Sequence, residues 1–156
     1  MSNLTDYRKI SVSLIATVFN EKNNIAEFLE SYKKQSFLAK EFIIVDAFSN
    51  DGTNLIIEKF SQENPDLNIK FFRKRSNRSL GRNFAVSKAQ TDYLAFTDAG
   101  CLLDKFWLEE LVKEQTISKK RVVGGFFQGI TKSNLQEAIV PYFLQLNKKG
   151  WRPFLL

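Results

Sequence analysis

Apolar and polar positions along this chain follow two alternating rhythms. Residues 10–19 are apolar and β-branched, and they break at Asn20-Glu21-Lys22-Asn23-Asn24. A short apolar run with polar boundaries predicts a buried strand. Ile25, Phe28, Leu29 and Tyr32 then recur at helical spacing. Residues 42–46 are a second continuous apolar run that ends on Asp46. Ser49-Asn50-Asp51-Gly52-Thr53 reads as a turn and helix start, and Leu55, Ile56, Lys59 and Phe60 continue a helical pattern. Asn64-Pro65-Asp66 ends that helix, and residues 67–72 predict a third strand. Ser79 reads as the N-cap of a helix carrying Arg82, Phe84, Ala85, Lys88 and Ala89. Residues 93–96 form a fourth strand, and Asp104 reads as the cap of a helix with Trp107, Leu108, Leu111 and Val112. A fifth strand is expected over residues 121–127, around Gly124-Gly125. A last helix is expected over residues 135–146, with Pro141 as an interruption or kink.

Strands that are apolar throughout, each followed by an amphipathic helix, imply an α/β fold. Its mainly parallel sheet is covered by helices on both faces. The 156 residues suffice for one domain with a core, so the chain is read as a single domain over residues 1–156. No internal repeat or long linker divides it. The final residues, Lys149-Gly150-Trp151-Arg152-Pro153-Phe154-Leu155-Leu156, are apolar and aromatic, and they read as a chain cut in mid-structure.

Composition narrows the chemistry. The chain has no histidine, which excludes His-based acid–base catalysis and the commonest metal ligand. Any metal must then be held by oxygen, which favours Mg²⁺ or Mn²⁺. A single cysteine, Cys101, excludes an intrachain disulfide and suits a reducing compartment. With no neighbouring His to activate it, Cys101 reads as a small packed side chain. The formal net charge is +6, part of it in Arg73-Lys74-Arg75-Ser76-Asn77-Arg78 with Arg82 close behind. That cluster suits phosphates, nucleic acid or an anionic membrane surface, or is a solvated loop. Neither a signal peptide nor an apolar run long enough to span a bilayer is visible. The expected location is the cytoplasm, with peripheral association at the inner membrane face left open.

Four polar sites fall at strand ends. These are Thr17-Val18-Phe19-Asn20-Glu21; Asp46 with Ser49-Asn50-Asp51-Gly52-Thr53; Gly81-Arg82-Asn83; and Thr97-Asp98-Ala99-Gly100-Cys101. Each alone is weak, since an Asp before a Gly is usually a turn or cap, as expected for Asp51. Together they gather on the carboxyl edge of one sheet, where ligands of open α/β folds bind.

In order and spacing these four segments, across roughly residues 10–130, resemble family 2 glycosyltransferases of the GT-A fold. The Thr-Asp-Ala-Gly-Cys variant, followed by an acid and a Trp-Leu pair, resembles a bacterial subgroup. The resemblance implies a Rossmann-like nucleotide-binding domain and a nucleoside-diphosphate-sugar donor, with a UDP-sugar favoured. It implies that Thr17, Phe19, Glu21 and Asp46 hold the nucleoside, and that Arg82 meets the base or the diphosphate. A buried carboxylate can accept the imide N–H of uracil, and Phe19 offers an apolar wall to a flat base. The family's second acid after the second strand is here Ala47. Asp98 matches the first acid of the family's Asp-x-Asp metal motif, while Gly100 replaces the second. Asp98 is therefore the metal ligand expected, with Mg²⁺ or Mn²⁺, and Asp104 either assists or caps a helix.

The function implied is transfer of a sugar to an acceptor hydroxyl with inversion and metal assistance, in glycan or polysaccharide biosynthesis. The acceptor is not identified. In inverting members a later acid acts as general base, and nothing after Val123 matches it; Glu137 falls on the expected last helix. The chain is thus read as the donor-binding half. An alternative is a non-catalytic nucleotide-binding or regulatory module. Nucleic acid is not the expected partner, because basic and aromatic residues do not interleave on a platform.

Overall fold

The computed structural model describes residues 7–125. The expected helix at 135–146, Glu137 and residues 126–127 of the expected fifth strand lie outside them. Four strands alternate with four helices: β1 (Val12–Val18), α1 (Ile25–Lys33), β2 (Glu41–Asp46), α2 (Thr53–Glu63), β3 (Ile69–Arg73), α3 (Arg78–Lys88), β4 (Tyr93–Asp98) and α4 (Trp107–Ser118). The sheet order is β3-β2-β1-β4, and every pairing is parallel. The chain steps outward from β1 to β3, then returns to the other side of β1 as β4. The order therefore reverses between β1 and β4, and the crevice at the strands' carboxyl ends opens there.

Period-two alternation sends the residues of each strand to opposite faces. Leu14, Ala16 and Val18 of β1, with Phe42 and Ile44 of β2, pack under Phe28, Leu29 and Tyr32 of α1, Ile57 of α2 and Leu108 of α4. Ile15, Ile43 and Val45 face the other way and pack on Ala85 and Phe84 of α3. The continuous apolar runs of β1 and β2 are explained by this double coverage. The Phe42 ring meets Phe28 edge-on at 6.0 Å and tilts against Tyr32 at 4.6 Å, so aromatics dominate the larger layer.

At the opposite, amino end of the sheet sits Glu41, 1% exposed. It accepts hydrogen bonds from the Ser13 hydroxyl, the Gln90 N–H and the Lys70 ammonium. Burial alone would push its carboxyl up; these three donors outweigh burial and hold it below its ordinary value. Glu109 of α4 is similarly engaged, by the hydroxyls of Ser36 and Tyr7 and by Lys113.

Four local expectations are corrected. Ser79 does not cap α3. The cap lies two residues earlier, and the Asn77 side chain accepts from the Leu80 N–H at 2.9 Å. Asn caps as well as Ser does, and Asn77 has the extended backbone that a cap requires. Asp104 does not cap α4 either. Phe106 flanks that helix without a side-chain cap, while Asp104 closes the preceding turn by accepting from the Phe106 N–H at 2.9 Å. Residues 121–125 form no strand. Paired glycines weaken a strand, and a Cβ on Gly125 would lie 3.4 Å from the Trp107 indole nitrogen, so this segment lies over α4. The third strand also begins later than expected. Pro65–Leu67 forms a 3-10 turn that Asn68 ends in the left-handed region, φ 45°.

Candidate functional site

Register fixes what each strand delivers to the carboxyl edge. Thr17 pairs with Asp98, Val18 with Asp46, and Asp46 with Arg73. Residues paired across parallel strands share a face. Asp46 therefore leaves the sheet on the side of α1 and α2, with Val18, whereas Asp98 leaves on the side of α3, with Thr17. The two acids stand on the strands flanking β1, so about 10 Å of sheet separates them as well.

Asp46 is fully buried. Its Oδ1 accepts from the Ser49 N–H and hydroxyl, and its Oδ2 accepts from Arg73 Nε at 3.1 Å. Arg73 also donates to the Ser49 carbonyl at 3.0 Å. The carboxylate thus fixes the turn after β2 and the end of β3.

That turn in turn grips the loop after β1. The Asn20 N–H donates to the Ser49 hydroxyl, the Glu21 N–H to the Thr53 hydroxyl, and the Lys22 N–H to Asp51 Oδ2, each at 2.9 Å. Asp51 Oδ1 also accepts from the Thr53 N–H and hydroxyl. These contacts to Thr53 and Lys22 hold the Asp51 carboxyl below its ordinary value, the Thr53 hydroxyl contributing most. The structural role expected of Asp51 is present, and it reaches across to a second loop. Gly52 makes the turn possible at φ 96°, a conformation a side chain would strain.

A cleft of about 550 Å³ opens above this edge on the α3 side. Thr17, Val18, Phe19, Glu21 and Ala47 contribute from the ends of β1 and β2, Arg75, Ser76, Asn77 and Arg78 from the segment between β3 and α3, and Asp98, Ala99 and Gly100 from the end of β4. The Phe19 ring is 58% exposed. A Cβ on Gly100 would lie 3.9 Å from Glu21 Oε1, so the Glu21 carboxylate lies beside the position where an Asp-x-Asp pattern has its second acid. Asp98, half exposed, is paired with Arg82 at 2.7 Å. Thr17 Oγ1 is buried without a hydrogen-bond partner.

Of the residues expected in a site, Thr17, Phe19, Glu21 and Asp98 come together in the cleft. Asp46 and Arg82 are not among its lining; Asp46 supports the turn beneath, and Arg82 acts on the cleft through Asp98. Asp104 also lies outside the lining. Burial, and secondly the Asp98 charge, push the Cys101 thiol up, which fits a packed side chain and not a nucleophile. Sequence reasoning missed Phe48, an exposed aromatic at φ 65°, and no local signal marks it. Arg75 and Arg78 were legible only as part of a basic run.

A model of the Glycosyl transferase family 2 matches residues 13–152. The chain belongs to that family. TuaG of Bacillus subtilis strain 168, a glycosyltransferase named for teichuronic acid biosynthesis, is 29% identical over 126 residues, covering 81% of this chain and 48% of TuaG. The structure of S. aureus TarS 1–349 in complex with UDP superposes with a TM-score of 0.62 at 25% identity, covering 80% of this chain and 39% of that one. The mannosyltransferase PcManGT from Pyrobaculum calidifontis, in complex with GDP-Man and Mn²⁺, gives a TM-score of 0.64 at 26% identity, covering 72% of this chain and 33% of that one. The fold shared with these enzymes is GT-A, as the motif resemblance implied. This family 2 chain spans less than half the length of each of these relatives. Among its described residues no helix is long and apolar enough to cross a membrane.

Proposed function

We propose that this family 2 chain, as one domain over residues 1–156, binds the nucleoside-diphosphate-sugar donor of an inverting sugar transfer. The observation that carries the reading is the cleft at the point where strand order reverses, lined by Thr17, Phe19, Glu21 and Asp98. The base lies against the exposed Phe19 ring, and Thr17 and Glu21 contact the nucleoside. Asp46 serves the site indirectly, by holding the turn that carries Ala47 and Ser49. In the transfer, the acceptor hydroxyl oxygen bonds to the anomeric carbon from the face opposite the leaving group. The bond from that carbon to the diphosphate oxygen breaks, and the hydroxyl proton passes to a general base.

The donor set fits a hard divalent cation, Mg²⁺ or Mn²⁺. Asp98 and Glu21 approach the cleft from adjoining segments, and such ions need only one or two carboxylates plus substrate phosphates. Among the described residues no group of three or more His, Cys, Asp or Glu is placed to hold an ion, so Asp98 and Glu21 would hold it together with substrate phosphates and water. When bound, the cation neutralises charge on the departing diphosphate. Arg82 competes for Asp98 and keeps that carboxylate paired until donor and cation arrive.

Calorimetry of UDP with Mn²⁺ tests the reading. Asp98→Ala should abolish the metal-dependent part of UDP binding and leave thermal unfolding within a few degrees, since a half-exposed ion pair contributes about 1 kcal/mol or less. Unchanged UDP affinity in the variant counts against Asp98 as the metal ligand.

A further inference from the structure

The basic segment after β3 is the part of the cleft that these contacts leave unused. Arg75 and Arg78 line it, on the segment between β3 and α3. Two other arginines near this edge are neutralised, Arg73 by Asp46 and Arg82 by Asp98. Arg75 and Arg78 form no ion pair among the described residues. Of the carboxylates lining the same cavity, Asp98 is already paired with Arg82, so the two guanidinium groups outweigh the single carboxylate of Glu21 and leave a positive field that an anion relieves. Arg78 also opens α3, whose first-turn N–H groups favour negative charge.

Arg75 rests against an aromatic ring. Its guanidinium carbon stands 5.5 Å from the centre of the Phe48 ring, and that of Arg73 stands 5.0 Å from the same ring. Arg73 is anchored by Asp46 and the Ser49 carbonyl, so the ring has one fixed neighbour and one at the cleft. Phe48 is 44% exposed and sits at φ 65°. A bulky side chain in the left-handed region is unfavourable, and such strain gathers at ligand clamps. Glycine would adopt this backbone freely, so the ring has a use that offsets the strain.

We propose that Arg75 and Arg78 clamp the diphosphate of the donor, and that Phe48 is the positioning residue that holds Arg75 at the cleft. The clamp rests on the donor-binding reading above. Guanidinium forks match phosphate oxygens two at a time, so the pair reads phosphate and is indifferent to the base.

The test is titration of the full chain with UDP and GDP, against uridine and guanosine followed by ligand-observed NMR. Arg75→Ala and Arg78→Ala should each weaken diphosphate binding by about tenfold, as loss of a charge-assisted contact predicts, and leave nucleoside binding unchanged. Phe48→Gly removes the backbone strain, so its unfolding temperature should hold or rise while diphosphate affinity alone falls. Diphosphate affinity within about twofold of the unaltered chain in both arginine variants would sink the clamp. A Phe48→Gly protein that unfolds earlier and loses nucleoside and diphosphate equally would make Phe48 a packing residue only. Failure of the unaltered chain to bind either diphosphate would instead overturn the donor-binding reading, and the clamp with it.

Discussion

Replacing Asp46 with Ala separates a structural carboxylate from a ligand-binding one. The side chain is fully buried and accepts three hydrogen bonds, two from Ser49 and one from Arg73. Loss of the acceptor strands the Ser49 N–H in a residue only 3% exposed, which costs about 1–3 kcal/mol. The Arg73 side chain is 38% exposed, so water replaces much of what the ion pair gave, and its loss adds only about 1 kcal/mol. The total is roughly 3 kcal/mol, at the lower edge of the range for breaking a fully buried pair. For a chain of this size that lowers the unfolding temperature by roughly 10 °C. Asp46→Asn keeps one acceptor for the Ser49 N–H and should lose about half as much. Thermal unfolding followed by circular dichroism reads both, with Asp98→Ala as the contrast. An Asp46→Ala protein that unfolds within about 2 °C of the unaltered chain would refute the reasoning, because a carboxylate carrying the turn cannot be removed without cost.

Two further expectations follow from packing and titration. A Cβ on Gly81 would stand 3.0 Å from Thr17 Cγ2 and 3.2 Å from Ser76 Oγ, so in Gly81→Ala these two side chains, or α3 itself, must give by a few tenths of an ångström. The gain in helix propensity, about 1 kcal/mol, offsets part of an overpacking cost of about 1–3 kcal/mol. Urea unfolding should show mild destabilisation, and UDP titration a disproportionate loss of affinity, because both contacted residues line the cleft. Glu109 is held down by the Ser36 hydroxyl first, then by Tyr7 and Lys113, to about 2 from an ordinary 4.5. A depressed carboxyl contributes stability above its unfolded value and loses it as pH falls through the folded one. Urea midpoints should therefore fall between pH 4.5 and 2, and the slope should flatten in Glu109→Gln; an identical slope in the variant would remove Glu109 from the acid response.

The fold was legible because its signal is collective. The apolar runs of β1 and β2 and the helical spacing of Ile25, Phe28, Leu29 and Tyr32 each have one reading, and a continuous strand implies helices on both faces. Errors fell where neighbouring residues offer the same chemistry. Asn77 and Ser79 both cap helices, and Asp104 closes a turn with the atoms it would use for a cap. The site was half legible. The four segments were recognised and do meet at one edge, but sequence does not say which face of the sheet a strand-end acid leaves by. That depends on register, and register set Asp46 and Asp98 apart. Phe48 was not legible at all, because nothing in a neighbouring Ala47 and Ser49 announces a left-handed backbone.

The grip of Ser49, Thr53 and Asp51 on three successive N–H groups ties the cleft to the folding process. The partners are about thirty residues apart in sequence, so the rim carrying Phe19 and Glu21 cannot take shape before β1 and β2 have found each other. Once formed, it cannot loosen one residue at a time. The amide protons of Asn20, Glu21 and Lys22 share a single opening event with the turn after β2, and they should exchange with solvent as a block. Any ligand entering this cleft therefore meets a rim inherited from the central strand pair.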